Sequence, residues 1–257
     1  MFTRAGTCGW ALNDSLVFAR GLSMSVTEIL TRNLQAISAE IRSACVRSGR
    51  DPSSVRLVAV TKYAKWPWVL ELSRLVHALG ENRPQQLAER QPLLPDIEWH
   101  LIGQLQRNKV RTAVMHASVI HSADSLRLLE RIADVATELK LNPRLLLQVN
   151  LSGETSKSGF TAAELTNEWQ NIFKFTERVR IDGLMTMAAE SENPEDARPV
   201  FRSLRELRDR LVAREDSKAA GLILPDLSMG MSGDFVPAIE EGATLIRIGS
   251  RIFAGLV

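Results

Sequence analysis

Lys62 closes an apolar run, Leu57-Val58-Ala59-Val60-Thr61, and its amine would emerge at the carboxyl end of a strand built from that run. In barrels of alternating strands and helices, that end is where reactive groups collect. An amine partly screened from water there gives up its proton more readily and condenses with an aldehyde. Taken alone, the same placement also describes a solvated lysine at a strand end. Two glycine and serine turns near the other end of the chain supply a second kind of chemistry. Ser228, Gly230, Ser232 and Gly233 lie between a strand-like run from Asp226 and a helical pattern from Phe235, while Gly249 and Ser250 follow the last strand-like run. Glycine lets backbone N–H groups approach an anion, serine adds hydroxyl donors, and a following helix start favours negative charge. One such turn is weak evidence, but two after the last two strands of a barrel stand where phosphate is usually held. Arg247 is the third unusual residue, because Leu245, Ile246 and Ile248 around it describe a buried strand. A guanidinium there needs a partner, either an acid inside the barrel or an atom of a ligand. The residues leave both open.

These groups need a frame. Leu30, Leu34, Ile37, Ile41 and Cys45 recur at helical spacing, which predicts an amphipathic helix over 26–46 that ends at Ser48-Gly49-Arg50. Beyond it, β-rich runs at 56–61, 77–80, 98–102, 118–121, 144–150, 181–187, 226–229 and 244–248 alternate with helical patterns. Those patterns fall at 68–76, 106–115, 125–139, 162–173, 195–214 and 235–241, with room for a short helix after Gly249. The rhythm is that of βα units and a parallel sheet. Eight strands with helices between them predict a single closed (β/α)8 barrel over residues 24–257, preceded by its N-terminal helix. An open doubly wound sheet is the structural alternative.

The bulk properties agree with one barrel domain. The 257 residues, 45% of them hydrophobic, can bury a substantial core. A balance of 32 basic and 30 acidic residues, net +2, gives no reason to expect nucleic acid as a specific partner. Cys8 and Cys45, with no metal-ligand spacing, predict neither a disulfide framework nor a metal site and fit a reducing cytoplasm. No apolar run approaches the about 20 residues that span a bilayer. Residues 1–23 carry Arg4, Arg20 and a single acid, Asp14, as organelle-targeting segments do, yet Asn13 and Asp14 interrupt any signal core. A poorly ordered tail, or a translation start placed too early, is the expectation for them. Arg202, Arg205, Arg208, Arg210 and Arg214 form a basic helical stretch diluted by Glu206, Asp209 and Glu215, which reads as a solvated face before it reads as a polyanion site.

The motifs, taken together, are more specific than any one of them. AVTK at 59–62, GENR at 80–83, WHLIGQLQRNK at 99–109, HSADS at 121–125, QVNLSGETSKSG at 148–159, GLMTMA at 183–188, LSMGMSGD at 227–234 and RIGSRIF at 247–253 run through most of the chain. From about Met24 onward the sequence resembles the pyridoxal phosphate homeostasis protein family, which shares the alanine racemase N-terminal barrel. The resemblance implies that Lys62 carries pyridoxal 5′-phosphate as a Schiff base, that Ser232, Gly249 and Ser250 hold its phosphate, and that Arg247 faces the pyridine nitrogen. It places Asn82, His100, Met187 and Ser228 around the pocket. Apoenzymes that use the cofactor are the implied protein partners, and a monomer is expected. Thr61 stands where the family usually has serine, Pro84 and Gln86 vary the segment after Asn82, and Trp66-Pro67-Trp68 is unusual. Those two tryptophans could shape the pocket mouth or pack on the first helix. His77 and His116, near helix ends, read as structural; for His100 and His121 a hydrogen-bonded barrel residue is at least as good a reading as a catalytic one.

The resemblance leaves a carrier and an amino-acid racemase as the competing functions. Racemases of this fold add a β-domain that supplies a tyrosine as second acid/base, whereas here the barrel is expected to finish at 253–257. The only tyrosine is Tyr63, and if it continues the strand it points away from Lys62. An arginine at the pyridine nitrogen also weakens the electron sink that carbanion chemistry needs. A binding and homeostasis role with little or no turnover is therefore expected, and a phosphate-sugar enzyme, which gives Arg247 no job, ranks last.

Overall fold

In the computed structural model, residues 24–151 and 158–256 are described. The expectations for residues 1–23 and Cys8, and the part of the QVNLSGETSKSG motif at 152–157, lie outside them. Ser25 opens the first helix, α1 (Val26–Arg47), with a capping box in which Ser25 Oγ accepts from the Glu28 N–H and the Glu28 carboxylate accepts from the Ser25 N–H. Its buried stripe is Leu30, Ile37, Ile41, Ala44 and Cys45. Eight strands follow: β1 (Arg56–Val60), β2 (Ala78–Glu81), β3 (Glu98–Leu101), β4 (Val119–Ala123), β5 (Arg144–Gln148), β6 (Arg180–Met185), β7 (Asp226–Ser228) and β8 (Leu245–Ile248). Each pairs in parallel with the next, and β8 pairs with β1, so the sheet closes into a barrel.

The helices between them are α2 (Trp66–Ser73), α3 (Pro84–Arg90), α4 (Val110–His116), α5 (Leu126–Leu139), α6 (Ala162–Asn167), α7 (Trp169–Phe173), α8 (Arg198–Ala213), α9 (Glu215–Ala219) and α10 (Phe235–Glu240). Three details differ from expectation. The run at 162–173 breaks at Glu168, where Trp169 turns inward and donates its indole N–H to Ser217 Oγ (2.8 Å). The short helices α3 and α9 escaped the sequence pattern. After Gly249 the chain makes turns, without a helix.

Alternation along each strand sorts the side chains into two layers. Ala59, Trp99, Leu101, Ile120, Leu227 and Ile246 face outward into the core shared with the helices. Val58, Ala78, Val119, Leu146, Met185 and Leu245 form a separate apolar cluster inside the barrel. The amino-terminal end of the barrel is plugged by charges. Arg56, Glu98, Arg144, Arg180 and Asp226, each the first residue of its strand, interlock there: Arg56 with Asp226 (2.5 Å), Arg144 with Glu98 (2.7 Å) and Asp182 (2.6 Å), and Arg180 with Asp182 (2.7 Å). A sealed floor leaves the carboxyl-terminal rim as the end open to a ligand.

Most of the basic stretch on and just after α8 is ion-paired. Arg198, Arg202 and Arg205 converge on Glu241, Arg198 also on Glu240, and Arg208 and Arg214 pair with Asp209 and Asp216.

Candidate functional site

Lys62 sits one residue beyond Thr61, in the turn that follows β1 at the rim, and is half-buried. The turn is tied down from behind. The Thr61 N–H donates to Gly80 O (2.9 Å) and the Ala64 N–H closes the turn on Thr61 O (2.9 Å). Arg90, at the end of α3, donates through Nη1 to Thr61 O (3.0 Å) and Glu81 Oε1 (2.5 Å), and through Nη2 to Ala64 O (3.1 Å). Thr61 Oγ1 donates to the same Glu81 oxygen (2.5 Å). Glu81 is fully buried at the end of β2, and burial pushes its carboxyl up while the Thr61 and Arg90 bonds oppose that. Neither Glu81 nor Arg90 was singled out from the sequence. The tryptophans of the unusual segment serve this arrangement: the Trp66 ring lies 5.7 Å from the Arg90 guanidinium carbon, and Trp68 stacks on Phe253 with centroids 6.2 Å apart.

Because β8 pairs with β1, the turn after β8 lies beside the Lys62 turn. Gly249 itself crowds Val60, where an added Cβ would meet Val60 O at 3.2 Å. The Gly249 N–H points to Ser232 Oγ at 3.4 Å, so the two glycine and serine turns converge. Gly230 adopts φ +92°, and a Cβ there would come within 2.6 Å of the Ala238 Cβ, so only glycine allows the first turn to fold against α10. Asp234 caps that turn by accepting the Met231 N–H at 2.5 Å. Ser232 is half-buried and Ser250 exposed. The turn after β8 lacks the following helix that the sequence suggested, so no helix dipole acts there.

Arg247 is 4% exposed and makes no ion pair among the described residues. Its Nη1 donates to Ser228 Oγ (2.5 Å) and its Nη2 to Thr186 O (3.0 Å). Burial pulls its pKa down to about 10. No acid among the described residues pairs with it inside the barrel, and the guanidinium keeps N–H donors to spare. Ser228 Oγ also lies 2.9 Å from His121 Nδ1, whose Nε2 lies 2.7 Å from His100 Nδ1. Of the remaining expected residues, Met187 packs on the apolar cluster inside the barrel. Asn82 is half-buried at the end of β2, and its carbonyl approaches Gly103 so closely that a Cβ there would come within 2.2 Å.

Tyr63 does not continue the strand. β1 ends at Val60, and Tyr63 lies in the turn, 86% exposed, with the Lys62 amine 5.0 Å from its ring centroid. The alternation argument against it fails for that reason, although its hydroxyl stands out in solvent.

A parallel barrel with a charged floor, Lys62 at its rim and two phosphate-type turns beside it defines a fold that comparison with known proteins recognises. The model of the alanine racemase N-terminal domain family matches residues 32–256. An alanine racemase of Clostridium difficile shares the fold at a TM-score of 0.68, with 16% identity and 58% of that chain covered. Nearer relatives carry another name. The pyridoxal phosphate homeostasis protein of Aquifex aeolicus is 38% identical over 236 residues, covering 90% of this chain and 98% of that one; the Bos taurus protein of the same name is 34% identical over 86% of this chain and 85% of its own. PipY of Synechococcus elongatus, solved with PLP bound, superposes at a TM-score of 0.73 with 35% identity, covering 90% of this chain and all of that one. The chain belongs to the pyridoxal phosphate homeostasis protein family.

Proposed function

We propose that this protein binds pyridoxal 5′-phosphate as a Schiff base on Lys62 and serves the homeostasis of that cofactor, with little or no turnover of its own. The observation that carries the reading is Arg247: a buried, donor-only guanidinium that pairs with no acid among the described residues suits an unprotonated pyridine nitrogen, and it lies on the strand that leads into the second phosphate-type turn. The residues fit the group at its other end too, since Ser232, Gly249 and Ser250 offer hydroxyl and backbone donors to a phosphate. Asn82, Met187 and Ser228 border the ring. The cofactor supplies an electrophilic aldehyde on a conjugated ring; the chain supplies the amine and the anion donors. The names of its relatives and the PLP in PipY support the same assignment.

The racemase alternative finds no support at this rim, because the only tyrosine extends into solvent. Residues 24–257 are assigned to the cofactor-binding domain, and residues 1–23 precede it. The recipients of the cofactor are apoenzymes, and the protein acts as a cytoplasmic monomer. Among the described residues no helix is long and apolar enough to cross a membrane.

One purified preparation tests the reading. Borohydride reduction of protein loaded with pyridoxal 5′-phosphate is expected to fix the label on Lys62, and Lys62→Ala to lose it; a label on Lys65 or Lys109 overturns the assignment. The loaded protein is then given an amino acid in one arm and a cofactor-free apoenzyme in the other. Activation of the apoenzyme with negligible racemisation is expected. Robust racemisation that Lys62→Ala abolishes overturns the carrier function.

A further inference from the structure

The interior of the barrel holds more polar machinery than a phosphate site requires. His121 is fully buried and His100 1% exposed, on neighbouring strands β4 and β3. Between Arg247 near the rim and Glu98 at the floor they form a column: Arg247 Nη1 to Ser228 Oγ at 2.5 Å, Ser228 Oγ to His121 Nδ1 at 2.9 Å, His121 Nε2 to His100 Nδ1 at 2.7 Å, and His100 Nε2 facing Glu98 Oε1 at 3.5 Å. The last contact is electrostatic and too long for a full hydrogen bond, which leaves His100 Nε2 otherwise without a partner.

The two ends of the column decide its direction. Arginine can only donate, so Ser228 Oγ must accept from Nη1. The floor end is a carboxylate, held ionised by its ion pair with Arg144 at 2.7 Å and by nearby Arg56. An ionised carboxylate can only accept. If His100 carries its proton on Nε2, its Nδ1 is bare and accepts from the His121 Nε2–H; His121 Nδ1 is then bare and accepts the Ser228 hydroxyl proton. The opposite arrangement turns an unprotonated His100 nitrogen toward the Glu98 carboxylate, lone pair against anion, and takes from the Ser228 hydroxyl proton its acceptor on His121. Buried groups without partners are costly, so the first arrangement wins. A doubly protonated imidazole is disfavoured as well. Burial drives both histidines below their ordinary range, and Arg247, Arg144 and Arg56 add to this while Glu98 opposes it at His100.

We propose that His100 and His121 are positioning residues, both neutral and protonated on Nε2, forming a one-way hydrogen-bond chain that aims a Ser228 lone pair at Arg247 and so fixes the guanidinium that meets the ligand. The role assigned to Arg247 rests on the function proposed above; the state of the two imidazoles does not. A chain of this polarity also delivers no proton to the ring nitrogen, because each of its protons already faces downward to an acceptor.

The test uses the uniformly ¹⁵N-labelled full chain, first without cofactor. Two-bond imidazole correlation spectra are expected to show His100 and His121 with bare Nδ1 and protonated Nε2, unchanged from pH 5.5 to 8. An Nδ1–H tautomer in either ring, or titration of either in that range, overturns the chain. Ser228→Ala severs it without touching a histidine. The His121 signals are expected to lose their single tautomer, and the affinity for pyridoxal 5′-phosphate to fall roughly tenfold, the scale of one charged hydrogen bond. Ser228→Thr keeps the hydroxyl and is expected to restore both readouts. An intact tautomer pattern in Ser228→Ala, or unchanged affinity despite a disrupted one, overturns the positioning role. If the tautomers are as stated but Arg247→Lys binds the cofactor with unaltered affinity and absorbance, it is the placement of Arg247 against the ring that fails, and the positioning role with it.

Discussion

Lys62 was conspicuous because a lysine after five residues of apolar strand is chemically odd, but what holds it was not legible. Glu81, Arg90 and Thr61 are separated along the chain and meet only because β2 lies beside β1 and α3 folds back over their ends. Arg90 in particular sits in a short, polar helix where an arginine reads as solvated. Its work is done by the planar fork, which reaches two carbonyls and a buried carboxylate at once. Arg90→Ala is expected to destabilise the protein by about 3 kcal/mol, because it strands a buried carboxylate. Arg90→Lys restores the charge without the fork. It is expected to recover much of the stability, measured by urea unfolding, yet to leave borohydride trapping at Lys62 slow; trapping at the parental rate would show that the turn does not depend on the clamp. For His100 and His121 a signal was present: polar residues at inward positions of two adjacent strands. It could not be read without the register that pairs His100 with Val119.

At the level of elements, all eight strands were legible from rhythm, since each is a short β-rich run and the inter-strand helices other than α3 and α9 fall within helical patterns. α9 offers little more than one turn of pattern, and α3 is polar and opens on Pro84. The part played by α1 was not legible either. Beyond covering the barrel, it grips the turn after β8: Asn33 Nδ2 donates to Ile252 O (2.9 Å) and Ala254 O (2.8 Å), and Glu40 takes both guanidinium nitrogens of Arg251. Those contacts span more than two hundred positions of sequence. Asn33→Ala is expected to lower the affinity for pyridoxal 5′-phosphate by roughly tenfold or less, the scale of one or two neutral hydrogen bonds, with a small fall in melting temperature. An unaltered affinity measured by equilibrium dialysis would mean that the second phosphate-type turn holds its shape without α1.

For the molecule as a whole, the charged floor and the neutral histidines make acid its weak direction. Glu98 has its pKa lowered from an ordinary 4.5 to about 2, so its contribution is complete above 4.5 and is lost as pH falls through about 2. His100 and His121 are depressed from 6.5 by burial, so the unfolded chain takes up protons that the fold refuses; their contribution is complete above 6.5 and declines below it. Glu81, raised by burial, has the opposite sign over the carboxylate range. Urea midpoints are therefore expected to be level above pH 6.5, to fall between 6.5 and 4.5 through the histidines, and to keep falling below 4.5. Midpoints that stay level down to pH 4.5 would show that the imidazoles titrate alike in both states.

The pairing of β8 with β1 carries a consequence for how the protein comes into being. The amine at position 62 and the donors at 249 and 250 belong to opposite ends of the chain, and they become neighbours only when the last strand docks against the first. A ribosome-bound chain that has exposed seven strands already owns its lysine, yet it has neither Arg247 nor the second anion turn. Under the proposed assignment, capture of the cofactor through its phosphate waits for the final strand, and a loaded barrel is a finished one.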